Sequence, residues 1–222
     1  MNSIETFIKL LQQGPGDPSS VFNPWREWDD RDRTPRKDMP AQRRENLAAY
    51  LRARERTARF MLLGEAPSHR GCRFSGIAFC SETELVHKRD QVAREPLVLT
   101  SAGAHVKPQR ERSAAVIWDE IERAGCSHDV VLWNAFPWHP YGDILTSNRK
   151  PKLKEVEHGR AALKALLDCF PHKLQIHAVG KVAEDALRRW PEFDCAGYMR
   201  HPAQGGEGLF REHFRKQVAS RL

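Results

Sequence analysis

Four apolar runs in this chain end on residues that can do chemistry. Residues 60–63 (FMLL) lead into Gly64, Glu65, Ala66 and Pro67, and residues 130–133 (VVLW) end on Asn134. Residues 175–179 lead into Gly180 and Lys181, and residues 196–199 into Arg200, His201 and Pro202. An amide such as Asn134 offers one acceptor and a pair of donors to a partner of complementary pattern. A carboxylate such as Glu65 can orient or activate water, and an imidazole such as His201 can donate a hydrogen bond. Each also has a plainer reading: Asn134 as a turn cap, Glu65 as a cap for nearby backbone donors, His201 as a surface histidine in a loop. The stretch 64–79 (GEAPSHRGCRFSGIAF) is far longer than a departure from a sheet requires. Its glycines, polar turn and closing aromatic fit a segment that holds backbone and one aromatic face around something small.

For these residues to act together, the elements carrying them must deliver four strand ends to one place. Strands are expected over 59–64, 130–135, 175–180 and 196–200, and helices over 113–125, 154–170, 181–190 and 207–221. Continuous apolar strands separated by helices predict a parallel sheet covered on both faces, in which ligands bind at the carboxyl ends of the strands. The fold class is therefore α/β, a three-layer α/β/α sandwich around a four-stranded parallel sheet. Ahead of it, 3–13 and 40–58 read as helices joined by a Gly-, Pro-, Asp- and Arg-rich arm over 14–40. Residues 1–58 are expected to pack on a body formed by 59–222. Residues 86–112 are polar and basic and read as a long loop, and there is no internal repeat.

The chain has 222 residues, 40% of them apolar and 29% charged, with a net charge of +7. That length fits one large domain, or one with an extension. The positive surplus serves solubility or a polyanionic partner such as nucleic acid. The five cysteines, Cys72, Cys80, Cys126, Cys169 and Cys195, are scattered and form no CxxC pair. That speaks against a disulfide framework and a tetrahedral zinc site, and for a reducing compartment. No apolar run approaches the ~20 residues of a spanning helix, and the first residues lack a signal-peptide pattern. A cytoplasmic protein with no membrane partner is expected. No P-loop or GxGxxG supports a nucleotide-binding protein of another kind.

Taken in order, the motifs resemble those of the uracil-DNA glycosylase superfamily. GEAP after the first strand, residues 132–140 (LWNAFPWHP) after the second and residues 200–206 (RHPAQGG) after the last are similar to that family's G-x-x-P motif, strand-end Asn and final His-Pro-small motif. Residues 147–151 (SNRKP), with Glu155 beyond, resemble the N-R-x-P segment of its GEAP-bearing bacterial and archaeal branches. Residues 76–79 (GIAF), followed by Cys80 and Ser81, resemble a G-L-x-F-S segment of another branch. Residues 178–183 (AVGKVA) resemble its strand-to-helix turn. The likeness spans about 60 to 215. Two positions depart from it. Ala66 stands where one branch has a water-activating Asp, and Ser68 where that branch has a Tyr whose bulk excludes thymine's methyl group. Iron–sulfur branches carry paired N-terminal cysteines and a Cys four residues after the Asn. This chain has Trp138 there and no N-terminal Cys, so no cluster is expected.

What the resemblance implies is a DNA repair glycosylase that flips uracil out of DNA, hydrolyses its N-glycosidic bond and leaves an abasic site. Uracil's N3–H and O4 complement the amide of Asn134, whereas cytosine presents the reverse pattern. Phe79 would stack on the base, with Phe74 as a competitor at shorter spacing; core packing is the plain alternative for either. Gly64 and Ala66 would touch the base through backbone. His201 would donate to uracil O2 as charge builds there. Glu65 would orient or activate water, or stabilise the cationic sugar, with Asp143 and Glu155 as weaker carboxylate candidates. Ser68, His69 and Arg70 would contact the DNA backbone near the lesion, and Ala203, Gln204 and Gly205 stand where the family places its wedge. Basic residues in 86–112 and 24–44 would add phosphate contacts or simply be solvated. No cofactor or metal is implied, the partner is uracil-containing DNA, and a monomer is expected. Two alternatives stay open: a glycosylase for a mismatched thymine or deaminated purine, which Ser68 motivates, and a non-catalytic lesion or single-strand binder, which the missing Asp motivates.

Overall fold

The strands that carry the motifs are buried at every position in Phe60–Gly64 and Val130–Asn134 and apolar up to their last residue, as strands covered on both faces must be. A computed structural model gives the architecture and describes residues 3–15, 19–29, 32, 38–101 and 107–222. In chain order, α1 (Ser3–Gln13), β1 (Val21–Phe22) and α2 (Met39–Arg52) precede β2 (Phe60–Gly64). Three short helices follow, α3 (Cys72–Ser75), α4 (Glu82–His87) and α5 (Arg89–Val92), then α6 (Arg112–Arg123) and β3 (Val130–Asn134). The chain continues through β4 (His139–Pro140), α7 (Leu153–Leu167), β5 (Gln175–Val179), α8 (Lys181–Arg189), β6 (Cys195–Met199) and α9 (Glu207–Gln217).

The main sheet is four-stranded and parallel throughout, in the order β3-β2-β5-β6. This is the expected α/β sandwich, with each strand within one residue of its sequence-derived limits. The chain leaves β2 toward β3 on one side, and leaves β5 toward β6 on the other. The strand order therefore reverses between the tips of β2 and β5, where a crevice opens in sheets of this kind. Gly64–Glu65 and Gly180 sit at those two tips, and Asn134 and His201 arrive from the outer strands on either side.

Two expectations need correction. The stretch 86–112 is not one long loop: α4 extends into it and α5 follows, with Glu84 folded back on Ser81 as a capping box. Short charged helices of this kind lack the apolar period that reveals longer ones. Helix α2 ends at Arg52 rather than 58, and a run of turns carries the chain to β2. In the arm, β1 pairs antiparallel with β4, and Trp25, fully buried, stacks on Trp133 at 6.0 Å. Of the basic segments, residues 30–31, 33–37 and 102–106 lie outside the described residues.

Arg54 joins this N-terminal region to the sheet. Its buried guanidinium donates to the carbonyls of Val130 (2.9 Å), Tyr50 (3.0 Å), Val92 (2.6 Å), Gln91 (2.8 Å) and Ser127 (2.6 Å) and lies 3.8 Å over the Tyr50 ring. The Tyr50 hydroxyl oxygen in turn accepts the Leu132 N–H at 2.7 Å, within β3 itself. Burial lowers the Arg54 pKa, and the carbonyls replace its lost water. Arg54→Met leaves them unpaired in the core. The expected loss is about 3–5 kcal/mol of unfolding free energy, read as a lowered urea midpoint at unchanged slope.

Candidate active site

Beyond the strands, the first two motifs remain laced together. Ala135 N–H donates to Gly64 O at 2.8 Å and Phe136 N–H to Glu65 O at 3.0 Å. This fixes the Glu65 backbone and turns residues 65–68 across the top of the sheet. His139 holds them from behind: it is fully buried, and its Nδ1 faces Pro67 O at 2.9 Å. Burial drives its pKa down to about 4, so the ring is neutral. Asn148, from the SNRKP segment, accepts the His69 N–H at 2.8 Å and faces its Nδ1 at 3.1 Å. Arg149 and Glu155 form a two-pronged ion pair at 2.7 and 2.6 Å, so that Glu155 anchors this segment and does not line the cleft.

A cleft of about 430 Å³ opens over the crevice between β2 and β5. Its walls include Glu65, Ala66, Ser68, Phe79, His201, Ala203 and Gln204, so seven of the residues picked out in the sequence meet in one hollow. Gly64 and Asn134 lie buried beneath it, paired across β2 and β3. The Phe79 ring joins the two levels. A Cβ on Gly64 would fall 2.1 Å from Phe79 Cζ and 2.9 Å from Asn134 Oδ1, so only glycine lets ring, strand tip and amide meet. On its other side the ring stands 6.1 Å from the His201 imidazole, centroid to centroid. Phe79 has φ +48°, in the left-handed region, and its carbonyl accepts the Trp118 indole N–H at 2.9 Å.

Three expected residues fall elsewhere. His69 and Arg70 line a neighbouring basic hollow with Lys107 and Arg110, and Gly205 sits at the exposed tip of the last loop. Phe74 is fully buried in the core and takes no part in the cleft, and Asp143 is exposed outside it. Trp138, at the position of a cluster cysteine in other branches, is buried and donates to Leu11 O at 3.0 Å. Among the described residues, no three His, Cys, Asp or Glu side chains come together as a metal site. No helix of the described chain is long and apolar enough to cross a membrane.

The polar groups of the cleft are tuned by their surroundings. The Oδ1 of Asn134, at 2% exposure, has no hydrogen-bond partner. A buried acceptor left in this way costs about 1–3 kcal/mol, and a donor that reaches it recovers that energy. His201 accepts the Ala203 N–H at Nδ1 (3.1 Å), which places the proton of the neutral ring on Nε2. Burial, helped by Arg200, pulls its pKa down to about 4. The imidazole is thus a neutral N–H donor near pH 7. It fits there because Gly180, at φ +87°, would bring any Cβ to 3.2 Å of His201 Cβ. Glu65 is half-buried, and desolvation raises its pKa against the pull of Lys150. Lys150, Lys181 and Arg200 line the same rim and suit a phosphodiester.

One member of the cleft was not found from the sequence. Glu111 lines the wall beside Ser68, and its carboxyl pKa is pushed up to about 7 by burial, with Glu84 adding to it and a hydrogen bond from Ser68 opposing. In the sequence it stands between Arg110 and Arg112 in a run that reads as solvated charge, and no motif marks it.

A family model described as the uracil DNA glycosylase superfamily matches residues 52–219. No curated protein matches the chain. Among solved structures, the crystal structure of wild-type Pedobacter heparinus SMUG2 superposes with a TM-score of 0.69 at 13% identity, over 100% of this chain and 98% of that one. At that identity the likeness is one of fold.

Proposed function

The chain belongs to the uracil DNA glycosylase superfamily, and from that membership, which makes it a DNA glycosylase, we propose that its substrate base is uracil. It hydrolyses the N-glycosidic bond of a flipped-out deoxyuridine, releases free uracil and leaves an abasic site. The observation that carries this reading is the unpartnered, buried Oδ1 of Asn134 beside Phe79. Uracil N3–H is the donor that this oxygen lacks, and the same amide's N–H reaches O4. Cytosine would set an acceptor against Oδ1 and a donor against the amide nitrogen, leaving buried groups unpaired at about 1–3 kcal/mol each.

In the reaction, Phe79 stacks on the base, an interaction worth roughly 1–3 kcal/mol. The backbone of Gly64 and Ala66 borders its edge. As the glycosidic bond lengthens, negative charge collects on the base and His201 Nε2–H donates to O2, while the anionic Glu65 faces the cationic sugar. Ser68, His69 and Arg70 hold phosphates on one side. Ala203, Gln204 and Gly205 occupy the gap left in the strand; Gln204, at φ +53°, projects from that loop.

The test is an oligonucleotide with a single uracil, scored for free uracil and for strand scission after alkali. Release is expected from the uracil substrate, with little from thymine opposite guanine or from hypoxanthine. Equal or better release of those bases would overturn the uracil assignment, and the small Ser68 is the feature that would then explain it. Salt-dependent binding without any abasic product would instead reveal a lesion binder.

A further inference from the structure

We propose that Glu111 is a catalytic residue of this cleft, the carboxylate that holds the attacking water and takes its proton. The inference rests on the glycosylase reading above and assigns a step that the first motif, with Ala66 in its third position, leaves without an obvious base. Four features of the structure converge on it.

Glu111 stands at the N-cap position of α6 in extended conformation, φ −112° and ψ 123°, yet its side chain makes no capping bond to the helix it precedes. A carboxylate at that position ordinarily turns back to the free N–H groups of the first turn. Glu111 instead lines the cleft that Glu65, Phe79 and His201 also line, with its carboxylate hydrogen-bonded to Ser68 of the same wall. The room it occupies is reserved for it: a Cβ on Gly71 would fall 1.8 Å from Glu111 Oε2 and 3.2 Å from Ser68 Oγ. Gly71 thus has no side chain where the carboxylate must lie. Finally, no cation offsets it. The groups that act on it are the Ser68 hydroxyl, which hydrogen-bonds to it, and Glu84 of α4, which opposes its ionisation. Cys72 of α3 is buried behind it, and Lys150, Lys181, Arg200 and His201 lie around the rest of the cleft. A carboxyl so placed has a pKa of about 7, matched to proton transfer at neutral pH.

Burial raises the pKa of Glu65 too, but there a cation, Lys150, opposes the rise, and Glu111 has no such neighbour acting on it. The two carboxylates divide the work: Glu65 faces the sugar cation and Glu111 the water. The water oxygen bonds to C1′ as the electron pair of the C1′–N1 bond leaves with the base. One water proton passes to Glu111, and the uracil anion, held at O2 by His201, is protonated on release. Ser68 orients the Glu111 carboxylate and is a positioning residue.

The experiment is single-turnover excision of uracil by wild-type protein, Glu111→Gln and Glu111→Asp between pH 5 and 9, with DNA affinity and thermal midpoint measured in parallel. The wild-type rate is expected to rise with pH through about 7 and then level, because the base acts in its ionised form. Glu111→Gln should lower the plateau by about 10²–10³-fold and abolish the rise, at unchanged affinity for uracil-containing DNA. Its thermal midpoint should hold or increase, since a buried acid becomes a neutral isostere. Glu111→Asp keeps a carboxylate and should retain the rise at a reduced plateau. A Glu111→Gln protein with the wild-type rate and pH profile overturns the inference. So does a loss of rate accompanied by an unaltered profile, or matched by a fall in thermal midpoint in both variants, for these mark a structural role. Wild-type protein that leaves uracil in place overturns the substrate assignment itself, and is told apart by the absence of product before any variant is compared.

Discussion

Asn134→Asp is expected to eliminate the proposed uracil excision or redirect it toward cytosine. The substitution is nearly isosteric, so Gly64, Phe79 and the β2–β3 pairing stay as they are. What changes is the donor pattern. The amide N–H that would reach uracil O4 is replaced by an oxygen, and an ionised carboxylate at a position 2% exposed is poorly solvated. Loss of the buried hydrogen bond to O4 and the oxygen–oxygen repulsion that replaces it amount to roughly 1–3 kcal/mol apiece. A fall of about 10²-fold or more in single-turnover rate follows, since ~1.4 kcal/mol is a factor of ten. Cytosine, whose N4–H₂ is a donor and N3 an acceptor, is the base that gains. Excision of both bases should be compared on otherwise identical strands, with enzyme in excess. Unaltered uracil activity in this variant would remove Asn134 as the base-reading residue.

His201→Ala lowers the chemical step by about 10²–10³-fold, the ~3–4 kcal/mol of one hydrogen-bond donor aimed at developing charge. DNA affinity is expected to stay close to wild type, because the proposed role sets the ring against the base and not the phosphates. The protonation state makes this assignment specific. With its folded pKa near 4 the ring stays neutral across the working range. Acidification from pH 7 toward 5 therefore does not create a stronger, cationic donor, and no rate increase should appear there. The same shift bears on stability. Between about pH 4 and 6.5 the unfolded chain protonates this imidazole and the native state does not, so its contribution to folding is complete above that window and declines as pH falls through it. His201→Ala should flatten that part of the stability curve. A variant that loses DNA affinity in proportion to rate, measured by binding at fixed salt, would assign His201 to the interface instead.

The parts of this molecule that could be read from sequence are those fixed by local pattern. Residues 60–63 and 130–133 announce buried parallel strands because every position is apolar, and the residues at their tips stand out for being glycine, carboxylate or amide. The resemblance to the glycosylase family, through the separation its motifs imply, favoured Phe79 over Phe74, and the structure has Phe79 in the cleft wall and Phe74 in the core. Contacts between distant segments were not readable. Glu111 becomes unusual only when Gly71 and Ser68, some forty residues earlier, fold against it. Arg54 looks like one more arginine in a basic helix until five carbonyls from four segments close around it. The buried state of His139 likewise depends on Pro67 and the surrounding loop.

The indole of Trp118 donates to the carbonyl of Phe79, the residue on whose ring the proposed reading stacks the flipped base. That tether makes its ultraviolet emission an internal gauge of the cleft, with the reporter lodged in α6 and so carried by the same helix that Glu111 precedes. The chain holds five other tryptophans, so the gauge is the part of the emission change on adding DNA that Trp118→Phe removes, read without a fluorophore on the DNA.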